Sequence, residues 1–533
     1  AVVTVGMDET DRDVVRIVTQ GTLTEDGLVA ARQNQYLAAL ARLGAREWGL
    51  AWCDLTTGDI FSESLGGDSV ASALARVGPQ EILVPETLEA EDIISGRMTS
   101  SLTRLPQAQF HTVTARQRLQ DAYQVRTLEP FGDFSRAEIS AAGALIHYVA
   151  LTQKGRLPHF KPLKSWKPGT SMEMDPATRR HLELTENLRG QVKNSLLAVM
   201  DETCSAGGSR LLSARLSAPS AQVEEIRTRL DGVEFFVSET LRRGQLREIL
   251  KAVPDLARAC GRASRGRAGP RDRAEKIYEI LSDAQLPASL ESARRNCVPQ
   301  GTLADLGDRL IRALVDNPPL HARGGGVIHP DYMPRLKELQ TLHAESSRLV
   351  AALESEYKSL TGAANLKIRH NNVIGFFVEV PAKQAELLAD REIREGEDRF
   401  IHRQSMANAV RFTTERLAGL ERDISQARER AIALEQEIVN QFESDIAAHS
   451  NGLSLMADAV AEIDVAAGLA ELASRRRYVR PVVDDSLDFE VTEGRHPVVE
   501  AVLEKDGQQS FAPNDCVLYG NPEAGLSAEE DPD

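Results

Sequence analysis

The stretch LAGLERDISQARERAIALEQEI (417–438) returns an apolar residue at alternating spacings of three and four. Leu417, Ile424, Ala431 and Ile438 occupy one heptad position and Leu420, Ala427 and Leu434 the other, which makes the seam of a long helix that packs along a partner. Glu421, Arg422, Arg428, Glu429, Arg430 and Glu435 then fall on the outward faces. Residues 331–360 offer that partner: Leu339, Leu353 and Leu360 recur at multiples of seven with Leu336, Val350 and Tyr357 beside them, although His343 and Ser346 interrupt the seam. The two helices are expected to run antiparallel as an arm, with the strand-like segment 366–380 forming a small module at its tip.

Composition limits what such an arm can serve. A chain of 533 residues, 42% apolar, has room for three or four domains and reads as soluble and cytoplasmic. The opening AVVTVGMDETDRD starts at Ala1 and lacks the apolar run of a signal peptide, so an incomplete N-terminus is expected. No run approaches the ~20 apolar residues that a membrane helix needs. Cys53, Cys204, Cys260, Cys297 and Cys516 are scattered and never spaced as CxxC, which argues for reduced thiols and against zinc. A net charge of -16 repels nucleic acid as a whole, so any phosphate contact has to come from a local basic face.

Taken in order, residues 14–90 mix extended and helical signals: VVRIV, a helix-like TEDGLVAARQNQYLAALARL (24–43), then GLAWCDLTTGDIFSESL and EILV, the pattern of a small α/β domain. Thr56, Thr57, Gly58 and Asp59 have the composition of a hairpin turn. Asp54 beside that turn is read as a turn-stabilising carboxylate; the sharper alternative is a metal ligand of a ribonuclease-H-like nuclease, which needs several convergent acids. Beyond Leu128 the pattern becomes helical. Ser135 and Glu138 form a capping box before Ile139, Ala142, Ile146 and Val149, and Asp175-Pro176 signals another helix start. Arg262, Arg265, Arg267, Arg271 and Arg273 make the most basic run, which lacks aromatic partners and reads as a solvated loop or as core-facing salt bridges rather than a phosphate site.

The tip segment 361–412 nearly balances its charges, but its acids cluster between Asp390 and Asp398. Lys367, Arg369, Asn371, Lys383, Arg403 and Asn408 are therefore candidate phosphate contacts, against a plain solvated surface as the alternative. After Arg480-Pro481 the pattern turns extended again, and 521–533 is acidic and poor in structure-forming residues.

Seven stretches, in order, resemble the MutS family of DNA mismatch-repair ATPases: VVRIVTQGTLTE (14–25), GLAWCDLTTGDI (49–60), EPFGDFSRAE (129–138), MDPATRRHLELTENLRG (174–190), HNNVIGFFVEVPAK (370–383), FIHRQSMANAVRFTT (400–414) and EGRHPVVE (493–500). The resemblance implies a mainly α multidomain protein. Its expected parts are a remnant linker at 1–13, a ribonuclease-H-like α/β connector at 14–128, and core plus first lever at 129–360. A clamp at 361–412, a returning lever and core at 413–478, and the beginning of an α/β ATPase domain at 479–533 complete it. It further implies double-stranded DNA as ligand, a homodimer, a MutL-like partner reached through the connector, no membrane, and ATP with Mg as cofactors. Two departures stand out. The family's Phe-x-Glu mismatch wedge is expected to be missing, since Phe61-Ser62-Glu63 and Phe377-Val378-Glu379 lie inside the connector and clamp matches, where strand alternation accounts for them. No GK[ST] of a Walker A loop occurs. Truncation at both ends, backbone clamping without ATP hydrolysis, and either adenine stacking or core packing for Phe511 are the resulting expectations. A metal-dependent nuclease and a coiled-coil scaffold are the alternative functions.

Overall fold

The computed structural model describes the chain apart from residues 1, 8–11, 25–28, 45, 89–100, 155–157, 159, 168, 261–269, 283, 316–318, 320–323, 372–374, 390–398, 506, 508–510 and 520–533. The side chains of 2–16, 259–260, 270–275, 342–344, 346–347 and 389 are also left undescribed. Two compact units result: Ala1–Arg262 with Gly269–Leu303 and Ala447–Asp533, and Ala263–Ala268 with Ala304–Ile446. Arg262, Arg265 and Arg267 of the basic run lie outside the described residues, as do the side chains of Arg271 and Arg273.

In the first unit β1 (Val2–Met7) and β2 (Arg12–Val18) form an antiparallel pair. A six-stranded sheet follows, made of β3 (Tyr36–Leu43), β4 (Glu47–Asp54), β5 (Asp59–Leu65), β6 (Glu81–Pro85), β7 (Ser101–Leu105) and β8 (Lys164–Ser165), in the order β7-β6-β3-β4-β5-β8. Asp54 pairs with Asp59 across the expected turn, where Gly58 has φ 76°. The helical expectation for 36–43 is corrected: YLAALARL is β3. Leu37, Ala39 and Ala41 enter one apolar cluster while Ala38 and Leu40 enter the other. A strand buried on both faces loses the polar alternation that would announce it, and its Ala and Leu content then imitates a helix.

The sheet domain does not stop at 128. The helix Arg136–Thr152 packs across it, burying Ile139, Ala142, Ile146 and Val149, and β8 is added later. The capping box forms as anticipated, with Glu138 N donating to Ser135 Oγ (3.1 Å) and Ser135 N to Glu138 Oε2 (2.8 Å). The buried Glu138 also accepts Ser62 Oγ (2.9 Å) and Ser165 Oγ (3.0 Å), so one capping side chain fastens both strands to the helix. Gly49 on β4 marks how closely they meet: a Cβ there would lie 2.2 Å from the carbonyl carbon of Ala137.

The helical core surrounds the helix Ser450–Arg476, on which Ile463, Ala467 and Ala470 are buried against Phe236, Leu246, Leu250, Ile277 and Leu290 from four other helices. Asp175 caps the helix Pro176–His181 by accepting from Ala177 N and Thr178 N (2.8 and 2.9 Å), and the Thr178 hydroxyl holds its carboxyl below the usual range. Asp464, fully buried, accepts Cys204 N, Ser205 N and Ser205 Oγ at the start of the helix Ala206–Ser217, and burial pushes its pKa up against those bonds.

Two core arginines join the sheet domain to this core. Arg210 makes a two-pronged ion pair with Asp255 (2.7 and 2.8 Å) and donates to the Ala31 carbonyl (2.7 Å). Arg258 donates to the carbonyls of Ala30 (3.1 Å) and Gln33 (2.7 Å) and to Thr56 Oγ1 (3.1 Å). Both are buried. Segment 30–33 is a turn that bonds Gln33 N to the Ala30 carbonyl (3.2 Å) and leaves the Ala31 and Gln33 carbonyls to the arginines, and the planar five-donor guanidinium is suited to several acceptors at once.

In the second unit the long helix is Glu415–Ala448. The seam holds for Leu417, Ile424, Ala427, Ala431 and Ile438, all buried. Glu435 is the exception. Expected on an outward face, it is 3% exposed and accepts Val327 N (2.9 Å), Ile328 N (3.3 Å) and Gln340 Nε2 (2.9 Å). Gly325 and Gly326, at φ 75° and 81°, turn those amides toward it. The partner is two helices, Pro334–Ala344 and Ser346–Thr361, broken at Glu345 between the two residues that interrupt the heptad. Leu336, Leu353 and Tyr357 are buried there, but Leu360 is exposed and Thr361 takes the inner position. The pairing is antiparallel, because Tyr332 meets Phe442, Gln340 meets Glu435 and Tyr357 meets Thr414.

Between these helices β9 (Lys367–Asn371), β10 (Gly375–Pro381), β11 (Ile401–Ser405) and β12 (Ala409–Thr413) form an antiparallel sheet in the order β11-β12-β10-β9. One face packs Val378, Val380 and Phe412 on Leu353, Tyr357, Leu366 and Leu417. Tyr357 keeps its buried hydroxyl bonded to Thr414 Oγ1 (2.7 Å), which also accepts Leu417 N at the start of the long helix (3.0 Å). Near the end of the chain β13 (Phe489–Gly494) and β14 (Asn514–Leu518) pair antiparallel in the first unit, and both are largely exposed. Among the described residues no helix is long and apolar enough to cross a membrane.

Candidate nucleic-acid interface

Strand alternation decides which tip residues can act together. Lys367, Arg369 and Asn371 stand at every second position of β9 and share one face, while Ile368 turns toward the helices. Register carries that face across the sheet: Lys367 lies opposite Glu379, Arg369 opposite Phe377, Glu379 opposite Arg411, and Arg411 opposite Gln404. The result is a polar face turned away from the apolar core of the tip.

The six predicted residues are spread over that module rather than gathered into a cleft. Lys383 lies in the short 3-10 turn Ala382–Gln384 after β10, and Asn408 in the turn between β11 and β12, where its carbonyl accepts Ala382 N (3.3 Å). These two share the Lys367 end of the sheet, while Asn371 pairs with Gly375 at the other end. Arg403 sits on the far edge strand, at a register shift between His402 and Gln404. All six are exposed. With strands about 4.8 Å apart and residues about 3.3 Å apart along them, the face is roughly 14 Å across and 13 Å long.

Sequence reasoning missed three members of the face. Arg411 lies over the Phe377 ring at 4.4 Å, donates Nε to Glu379 Oε2 (3.1 Å) and Nη1 to Gln404 Oε1 (3.0 Å). Arg369 Nε is 3.4 Å from Glu379 Oε1. The signal was present as alternation on each strand, but the register that aligns 379 with 411 and 411 with 404 depends on long-range pairing. Behind the sheet, Glu354 accepts Ile368 N (2.9 Å) and pairs with Lys358 (2.5 Å); burial opposes its charge, but these bonds outweigh burial and hold its carboxyl below the usual range.

The competing sites look different. Asp54 is buried, and its oxygens accept Gln35 N (3.0 Å) just before β3 and Thr56 N (2.8 Å) and Thr56 Oγ1 (2.5 Å) in the turn, so its lone pairs serve the local fold. No group of three or more His, Cys, Asp or Glu among the described residues is placed to hold a metal. Phe61 stacks on Trp52 (5.4 Å) and Ser62 is buried on β5, while Phe377 lies under Arg411, so both Phe-x-Glu triplets are strand residues. Phe511 is half-buried ahead of β14, followed by Ala512, Pro513 and Asn514, whose Nδ2 bonds the Ala512 carbonyl (3.2 Å). Phe511 to Asn514 themselves bring no cation for a phosphate.

Comparison with known proteins agrees with this architecture. Family profiles described as MutS domain II and MutS domain III match residues 35–161 and 177–470. The chain is 41% identical over 531 residues to the DNA mismatch repair protein MutS of Roseobacter denitrificans, covering 98% of this chain and 59% of that protein. It is 42% identical over 527 residues to its namesake in Rhodopseudomonas palustris strain BisA53, covering 96% and 58%. A third MutS, from Paracoccus denitrificans, is 41% identical over 515 residues, covering 95% and 58%. The chain thus spans under three fifths of the length of these curated relatives. With the domain III match alone reaching over more than half of its residues, the chain belongs to the MutS family.

Proposed function

We propose that this chain acts in DNA mismatch repair by gripping the sugar-phosphate backbone of duplex DNA with the polar face of the tip sheet. The observation that carries this reading is the placement of Lys367, Arg369 and Asn371 on the one face that the apolar core leaves open, in a chain whose net charge of -16 would otherwise repel DNA. Backbone contacts hold a duplex in position without reading its bases. The antiparallel helices behind the sheet then serve as levers that carry the state of the tip along the chain.

The remaining parts of the reading are a homodimer, a MutL-like partner docking on the sheet domain, and ATP with magnesium serving the longer relatives. The nuclease reading is disfavoured because Asp54 is committed to its turn, and the scaffold reading because of the family and the open basic face.

Replacing both Lys367 and Arg403 by alanine tests the grip. Both side chains are exposed, so the fold should survive. Affinity for duplex DNA is expected to fall about tenfold to thirtyfold at moderate salt, equally for matched and mismatched sequence, with the salt slope shallower by about two contacts. Unchanged affinity and slope in filter binding would remove the tip sheet from the interface.

A further inference from the structure

The carboxylate in the middle of the basic face needs a reason. Glu379 lies between two guanidiniums, Arg369 at 3.4 Å and Arg411 at 3.1 Å. The two are held very differently. Arg411 is fixed by Glu379, by Gln404 and by the Phe377 ring beneath it, and its side chain is 16% exposed. Arg369, on the edge strand, is 57% exposed. An anion resting between two forked cations occupies the place that a phosphate oxygen of a docking strand would take.

We propose that Glu379 is a built-in counter-anion of the DNA-binding face: it competes with a backbone phosphate for Arg369 and so keeps the grip weak and reversible. The inference rests on the backbone-clamp reading above. When a phosphate arrives, Arg369 stays divided between it and Glu379, which leaves that phosphate incompletely neutralised, while Arg411 keeps the carboxylate in place through its own bond. The exposed pair is easily exchanged, because water and salt screen it and a long side chain at the sheet edge has freedom to move. The retained carboxylate leaves the face one positive charge poorer than its arginines and lysines suggest, and it repels the second phosphate along the strand.

The test is Glu379→Gln in the full chain, titrated with a duplex of fixed sequence at several salt concentrations. Glutamine keeps the size of the side chain and an oxygen for Arg411 Nε. One more neutralised phosphate should steepen the slope of log K against log salt by about 0.9, so that the affinity advantage grows about eightfold for each tenfold fall in salt. Adding Arg369→Ala should abolish most of that gain. If Glu379 only anchors Arg411, the variant binds no tighter than wild type at an unchanged slope, and the proposal is overturned. The clamp reading fails in a different way: wild-type binding would then be absent or insensitive to salt and to the Lys367, Arg403 double variant. An unchanged Glu379→Gln slope on a normally salt-dependent wild type sinks the counter-anion alone.

Discussion

Arg258→Ala is expected to lower the stability of the sheet domain by about 3–4 kcal/mol, the range for removing one partner of a buried charged network. The substitution takes away three donors, leaving the Gln33 carbonyl and Thr56 Oγ1 without the guanidinium and the Ala30 carbonyl with Gln33 N (3.2 Å), in a seam that alanine cannot fill. Thr56 also donates to Asp54 Oδ1, so the hairpin loses its outer support. All three tryptophans of the chain, Trp48, Trp52 and Trp166, belong to this domain, so tryptophan fluorescence during urea unfolding reports on it selectively. Arg258→Lys should recover only part of the loss, since an ammonium lacks the fork that spans separated carbonyls. A midpoint within experimental error of wild type would show that the arginine does not secure the seam.

Glu435→Ala should cost about 3 kcal/mol in the other unit, because Val327 N and Ile328 N would remain buried without an acceptor. Amide exchange is the fitting readout, as it measures local opening in a chain too large for a single two-state transition. Peptides covering 327 and 328 should exchange about a hundredfold faster, with the tryptophan signal unchanged. Glu435→Gln should be mild: one oxygen keeps the two backbone donors, and the amide of Gln340 can rotate to meet the new NH2 group. Equal exchange in Glu435→Ala and wild type would mean that the glycine turn is held by other contacts.

These two residues also show where reading a sequence stops. Local patterns were legible: the Thr56–Asp59 turn, the Ser135–Glu138 capping box, the Asp175 cap and the apolar seam from Leu417 to Ile438 all depend on neighbours within a few residues. Glu435 was misplaced because a heptad ranks positions by polarity, and a carboxylate that serves buried amides from a distant turn breaks that ranking. The strand 36–43 was misread for the opposite reason, since burial on both faces erased its alternation. The packing of the helix Arg136–Thr152 on the sheet is not legible locally either, because it completes the sheet's core from a separate stretch of chain. At the tip, the residue types of the basic face were visible, but Arg411, Gln404 and Glu379 join it only through cross-strand register.

In the proposed grip the tip sheet holds DNA by its phosphates. Its most direct test is a filter-binding titration of the wild-type chain with matched and mismatched duplexes from about 0.05 to 0.5 M salt. About four phosphate contacts predict that log K falls linearly with log salt at a slope near -3.6, the same for both duplexes. A slope near zero, or a marked preference for the mismatch that persists as salt rises, would contradict the account.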